Sequence, residues 1–249
     1  MSDVNQERRQ FLVKGSALAA GIAIAPGMLL IDLAHGQPIA PRPAGEPASS
    51  AVRWGMLIDT TRCDSGCDDC VSACRKENGW PEPRSSTDVQ WIRKVELKQV
   101  STGREVTLPM MCQHCAEPPC VDVCPTAASF KRADGIVLVD RHRCIGCRYC
   151  MMACPYKARS FVHEPVIDHD SEMPRGQGTV ESCTFCVQRV DRGEQPACVE
   201  ACAKNGHRAI LFGDLNDPNS EIYLRIRSVT SSQLRADLGL NPGISFVGV

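Results

Sequence analysis

Apolar positions along this chain fall in short runs, and only the first run is long. Gly15 to about Leu33 is rich in Ala, Gly, Leu and Ile, broken by Pro26 and Asp32. Gln37 to Ser50 (QPIAPRPAGEPASS) has the Pro/Ala/Ser composition of a linker. From Val52-Arg53-Trp54 onward the pattern is that of a folded body built from short strands. RWGMLID reads as a strand. WIRKVELKQV, Ser101-Thr102-Gly103 and REVTLPMM read as a hairpin. Ala128-Ser129-Phe130-Lys131-Arg132 and Ile136-Val137-Leu138-Val139-Asp140 flank Asp134-Gly135, a hairpin signal between two β-prone runs. Arg208-Ala209-Ile210-Leu211-Phe212 supplies another β segment. Glu164 to Gly178 reads as a surface loop, and Ile222–Arg227 and Ser231–Leu238 as short helices. The run Ile244-Ser245-Phe246-Val247 is apolar and would be a liability if exposed, so it packs on the body or on a partner, the body being favoured.

The first run belongs to an address. Arg8-Arg9 stand ahead of Phe11-Leu12 and Lys14, and a basic start followed by an apolar stretch reads as a signal peptide. The paired arginines resemble the twin-arginine type, which exports proteins already folded. A membrane anchor is the competing reading of residues 1–36. A span needs about 20 apolar residues, and Pro26 and Asp32 interrupt this run. No clean Ala-x-Ala site follows Leu33, so the residues leave cleavage open.

Composition changes the picture through one residue type. The chain has 249 residues and a formal net charge of −1, which gives no strong field toward nucleic acid. It has 16 cysteines, in four groups of four separated by stretches with none. Cys63, Cys67, Cys70 and Cys74 are spaced C-x3-C-x2-C-x3-C. Cys112, Cys115, Cys120 and Cys124 are spaced C-x2-C-x4-C-x3-C and precede Pro125. Cys144, Cys147, Cys150 and Cys154 are spaced C-x2-C-x2-C-x3-C and precede Pro155. Cys183, Cys186, Cys198 and Cys202 are spaced C-x2-C-x11-C-x3-C.

A cubane cluster needs a thiolate at each of its four iron corners. A short loop with cysteines a few residues apart curls round one cube and reaches three corners. The fourth corner takes a cysteine from elsewhere, and in two-cluster bacterial ferredoxins the last cysteine of each run ligates the other cluster. Structural zinc favours two separated pairs, and disulfides between such near neighbours would be strained. Four [4Fe–4S] clusters account for the spacing.

Groups two and three, with the hairpin between them, have the layout of a bacterial ferredoxin. The exchange rule gives Cys112, Cys115, Cys120 and Cys154 to one cluster, and Cys144, Cys147, Cys150 and Cys124 to another. The outer groups pair likewise: Cys63, Cys67 and Cys70 with Cys202, and Cys183, Cys186 and Cys198 with Cys74. The extra residue between Cys63 and Cys67, and the absence of proline after Cys74 and Cys202, depart from the pattern. The expected fold is α+β, two interleaved ferredoxin-like units with hairpin and loop insertions. Residues 37–51 form the linker and 52–217 the cluster domain, with 108–162 as inner unit, 52–80 and 180–217 as outer unit, and 218–249 as a C-terminal tail.

This arrangement resembles the four-cluster ferredoxin-like subunits of membrane-associated redox complexes, such as those of dimethyl sulfoxide reductase, polysulfide reductase and formate-dependent nitrite reductase (NrfC type). The resemblance covers about Trp54 to Asp217 and rests on CQHCAEPPCVDVCP, CIGCRYCMMACPYKAR and FGDLNDPNS. With the twin-arginine signal and the variant first group, it is most similar to periplasmic subunits of the DsrO type from Dsr complexes of sulfur metabolism. The resemblance implies a periplasmic electron carrier held at the inner membrane by a quinone-interacting integral subunit of NrfD/PsrC type, with cytochrome c or other redox subunits as further partners. Some relatives lose a cysteine and carry a three-iron cluster; this sequence keeps Cys120 and Cys150.

With every iron capped by thiolate, no coordination site is open to a small-molecule substrate. A non-catalytic electron relay is therefore the leading reading. The alternative is the electron-feeding subunit of an exported molybdopterin oxidoreductase; a zinc-stabilised interaction module would be colourless. His114, inside the second group, is expected to hydrogen-bond near a cluster and tune its potential. Arg148, Tyr149, Lys157 and Arg159, beside the third group, are expected mostly to face solvent or a partner.

Overall fold

The structure, a computed structural model, describes residues 39–64, 66–167 and 174–249. The export signal expected over residues 1–36 lies outside them. Among the described residues, no helix is long and apolar enough to cross a membrane.

The body is α+β. β1 (Trp54–Asp59) lies between two strands from the far end of the chain. β8 (Ile210–Asp214) pairs with it antiparallel, from Trp54 opposite Asp214 to Ile58 opposite Ile210. β10 (Ile244–Val247) pairs with it parallel, Met56 opposite Ile244 and Ile58 opposite Phe246. β9 (Ser231–Ser232) closes the sheet against β10. Met56, Ile58, Ile244 and Phe246 have no exposed surface, and burying each such side chain contributes roughly 1.5–3 kcal/mol. Gly55 sits in a strand because its neighbour comes too close: a Cβ there would lie 2.5 Å from the Gly243 carbonyl oxygen.

The remaining strands form two-stranded hairpins and ladders. β2 (Ile92–Lys98) and β3 (Glu105–Met111) pair along their length. β4 (Ser129–Lys131) and β5 (Val137–Val139) flank the Asp134-Gly135 turn. β6 (Ser160–Phe161) pairs with β7 (Val180–Glu181).

The helices are short and carry cysteines. They are α1 (Asp69–Asn78), the single turns α2 (Pro119–Asp122) and α3 (Tyr149–Ala153), α4 (Val187–Val190) and α5 (Ala197–Lys204). α6 (Glu221–Ser228) is capped by the Ser220 hydroxyl, which accepts from the Tyr223 amide, and buries Ile222.

Two expectations need correction. Ser231 to Leu238 is not a helix: Ser231–Ser232 pair with β10, and Arg235 adopts φ 52°, which ends any helical run before the single turn Ala236–Leu238. Of the surface loop expected over Glu164 to Gly178, residues 168–173 lie outside the described residues, and Arg175 is buried rather than solvated.

The linker stretch is tied down where it is described. Asp191 accepts from Arg42 Nε at 3.1 Å and Nη2 at 2.6 Å, and from Arg132 Nη1 at 3.0 Å and Nη2 at 2.8 Å. Ile39 is buried beside this network.

Candidate metal centres

The last three cysteine groups share one local design. Between paired cysteines, the residue before the second takes a left-handed backbone: His114 at φ 44°, Gly146 at 69° and Phe185 at 54°. This curls the loop so that successive thiols point inward. Gly146 is required twice over, since a Cβ there would lie 2.3 Å from the Gly178 carbonyl oxygen. After the last cysteine of every group another left-handed residue follows: Gly79, Ala127, Lys157 and Arg208. The next residue is buried in each case: Trp80, Ala128, Ala158 and Ala209. The last three groups are thus variations on one unit, and the first shares the left-handed residue and buried neighbour that follow its last cysteine.

All sixteen cysteines are described, and none forms a disulfide. The chain brings them together in four sets. Cys63, Cys67, Cys70 and Cys202 line one cavity, and Cys124, Cys144, Cys147 and Cys150 line another. Cys74 faces Cys186, and Cys183 and Cys198 face both of them. Cys112 and Cys115 face Cys120 and Cys154. The set built on the irregular first loop is brought together like the rest. That loop is held from outside, where the Lys94 ammonium donates to the Cys67 carbonyl at 2.6 Å.

The sets also lie in series. α1 carries Cys70 for one set and Cys74 for the next, and α5 carries Cys202 and Cys198 in the same way. Cys183 of the second set faces Cys112 of the third, and Cys120 of the third faces Cys150 of the fourth. Cys147 alone is exposed, so the fourth set reaches the surface.

The thiols fit a resident metal–sulfide group. Burial pushes Cys70 up to about 12, with Cys63, Cys202 and Cys67 adding to it. Burial likewise lifts Cys112 and Cys115 to about 12, and holds Cys74, Cys183 and Cys198 well above the ordinary thiol value. Four thiolates do not share such a pocket without a polycation to take the place of the protons. Iron supplies that charge.

Hydrogen bonds to sulfur come from the chain itself. The Ser129 amide donates to Cys124 Sγ at 3.3 Å and the Ala209 amide to Cys202 Sγ at 3.2 Å. Asn78 Nδ2 lies 3.6 Å from Cys74 Sγ and 3.9 Å from Cys186 Sγ. Burial would raise Cys124, but the Ser129 amide and the Thr126 hydroxyl hold it below the ordinary thiol value.

His114 lies between two sets. Its ring stacks on Phe185, with centroids 3.6 Å apart, so it joins the loop of Cys112 and Cys115 to that of Cys183 and Cys186. Its Nδ1 accepts from the Val137 amide at 3.0 Å, which puts the proton of the neutral ring on Nε2, an atom with no partner. Burial, then Arg159 and Arg53, push His114 down to about 3, so it stays uncharged.

Arg148 and Lys157 are exposed beside the third group, and Tyr149 is 61% exposed. Arg159 contradicts the expectation: it is 5% exposed, and its Nη2 donates to Ser129 Oγ at 2.8 Å. Sequence reading also passed over Asn78, Phe185 and the carboxylate Glu181. One signal would have found Arg159. CPTAAS and CPYKAR are the same motif, and Ser129 and Arg159 are its equivalent last residues.

Residues 104–214 match the family model of the 4Fe-4S dicluster domain. The chain is 42% identical to the Hdr-like menaquinol oxidoreductase iron–sulfur subunit 1 of Archaeoglobus fulgidus, over 96% of this chain and 97% of that one. It belongs to the family of ferredoxin-like iron–sulfur electron-transfer subunits. This subunit is also 38% identical to a tetrathionate reductase subunit of Salmonella typhimurium, over 99% of this chain and 90% of the other. It is 40% identical to the protein NrfC of Escherichia coli, over 78% and 79% of the two chains. With sixteen cysteines in four sets and a dicluster match, the subunit holds four [4Fe–4S] clusters.

Proposed function

We propose that the subunit relays single electrons between a membrane subunit that handles quinone and another redox protein, in a Dsr-type complex of sulfur metabolism. The observation that carries this reading is the unbroken series of four thiol sets, one end of which, at Cys147, meets the surface. The name of the Archaeoglobus relative, a menaquinol oxidoreductase subunit, supports a quinol-linked partner, here an integral subunit of NrfD/PsrC type. Cytochrome c or another redox subunit takes the other end. The Arg8-Arg9 signal supports twin-arginine export to the periplasm, after cluster loading.

In this reading the ligands are Cys63, Cys67, Cys70 and Cys202; Cys74, Cys183, Cys186 and Cys198; Cys112, Cys115, Cys120 and Cys154; and Cys124, Cys144, Cys147 and Cys150. The first two sets belong to an outer ferredoxin-like unit, closed by the β1–β8 pairing, and the last two to an inner unit around the β4–β5 hairpin.

When bound, each cluster accepts and releases one electron without gaining or losing a ligand. The chain's own part is to fix the four sets in its loops, bury the second and third of them, and set potentials through amides and side chains. His114 does this with its Nε2–H, and its stack on Phe185 fills the junction between two sets.

The test is anaerobic purification of the full chain from its own membranes, with iron and acid-labile sulfide counted and the dithionite-reduced EPR spectrum recorded. About sixteen irons per chain, an integral membrane subunit in the preparation, and reoxidation of the reduced clusters by a menaquinone analogue are expected. Zinc without sulfide would refute the cluster assignment. A co-purifying molybdopterin subunit in place of other redox partners would move the subunit to the alternative complex.

A further inference from the structure

Arg159 is the inward-facing cation of the inner unit. Its side chain has one conventional acceptor, Ser129 Oγ at 2.8 Å, while Nε and Nη1 meet none. No carboxylate faces it among the described residues. The groups that do are Cys120 and Cys112 of one set and Cys150 of the next, and the residue lines the cavity of that second set. Its acceptor Ser129 donates its own amide to Cys124 of that second set, at 3.3 Å.

A guanidinium buried without a counter-charge is strongly disfavoured, and native chains retain one only where an anion meets it. A cubane capped by four thiolates is a net anion, and more so once it has taken an electron. A planar fork with donors on several edges is suited to address two such anions at once, which an ammonium is not. Ser129 fixes one of those edges, so the remaining N–H groups are aimed rather than free. We infer that Arg159 is a shared potential-setting residue, one cation that stabilises the reduced state of both inner clusters and so raises their potentials together. This rests on the ligand sets proposed above.

The experiment is an EPR-monitored redox titration of the full chain, wild type and variants, after iron and sulfide have been counted in each. About sixteen irons in the wild type checks the ligand reading separately from the inference. In Arg159→Gln, the oxidised-to-reduced ratio of two couples should rise at least tenfold at fixed potential, a fall of about 59 mV for a one-electron couple, with the other two unmoved. Arg159→Lys keeps the charge but not the fork, so one of those two couples should fall and the other hold. Lys157→Gln removes an exposed cation two residues away in the sequence and should move none.

Movement of all four couples, or of none, in Arg159→Gln would overturn the inference. If that variant fails to hold its iron, Arg159→Lys decides by the same criterion. If both lose iron, loss confined to the inner pair supports the shared contact, and loss from all four overturns it.

Discussion

Two residues before Cys183 stands a carboxylate with no exposed side-chain surface, Glu181. Arg175 Nε reaches its two oxygens at 3.0 and 3.3 Å, Arg141 Nε lies 3.6 Å away, and Trp91 Nε1 donates to Oε2 at 3.1 Å. Arg175 Nη1 also holds the Gly79 carbonyl at 3.0 Å, and Arg141 lies over the Trp91 ring. One carboxylate therefore joins the start of β2, the turn after the first cysteine group and the strand leading into the fourth. Glu181→Gln keeps the shape and removes the charge, leaving two buried guanidinium groups without an anion. Removing one partner of a buried ion pair costs about 3–5 kcal/mol. For a domain of this size that is a fall in melting temperature of roughly 6–20 °C, at ~2–4 °C per kcal/mol. The assay is a melt at fixed scan rate, followed by far-UV circular dichroism and by the visible absorbance of the clusters. Both signals should fall together, with little dependence on salt because the group is buried. Replacing the opposite charge as well, with Arg175→Met in the Glu181→Gln background, should recover part of the loss. A fall of less than about 3 °C in Glu181→Gln would refute the argument, since an exposed ion pair would cost that little.

Four other outcomes follow from single positions. Gly146→Ala should cost the subunit one cluster, seen as about four fewer irons per chain, because of the clash with Gly178 and the left-handed backbone. Gly178→Ala, with φ 78° but no atom within 4 Å of the new Cβ, should keep full iron and lose only ~1 kcal/mol of stability. Cys202→Ser should disturb the cluster of Cys63, Cys67 and Cys70 and leave the one at Cys198 intact, a split that EPR of oxidised samples for a three-iron signal would show. Burial alone would raise Asp191, but hydrogen bonds and charge from Arg132 and Arg42 hold its carboxyl below the usual carboxylate value. Its folded pKa being the lower one, its contribution is complete above the ordinary value of about 3.9 and is lost as pH falls through the folded value. The protection of residues 39–46 against hydrogen exchange, relative to the intrinsic rate at each pH, should therefore be steady down to about pH 4 and fall below it in the wild type. In Asp191→Asn that protection should already be low at neutral pH.

What could be read from the chain in advance was local. The thiol sets follow from spacing, because three cysteines in one tight loop can serve a single cube. The β2–β3 and β4–β5 hairpins follow from their turns, and β1 from its run of apolar residues. What could not be read was set by distant partners. Nothing near Ile244 says that its strand lies parallel to β1, where its cover comes from Met56 and Ile58. Ser231 and Ser232 form a strand only because β10 offers an edge. Arg159 looks like one more basic residue in a basic stretch, and only the fold shows that its acceptor is Ser129, thirty residues earlier. Charge on a short segment gives its average setting, and the exceptions, Arg159 and Arg175, are residues placed next to buried sulfur or a buried carboxylate.

Residues 240–248 touch three regions by backbone alone or nearly so. Gly243 accepts from Met56 in β1 and donates to Gln113, while Ala116 and Glu117 donate to Asn241 and Leu240. Thr60 bonds the Val247 carbonyl at 2.8 Å. This short stretch stitches the second cysteine loop to the outer sheet, and the ribosome makes it after every one of the sixteen thiols has emerged. A nascent chain stalled before Leu240 would carry its full complement of iron ligands on a sheet still missing a strand. Translation thus sets an order, in which ligands appear first and the closing strand arrives later.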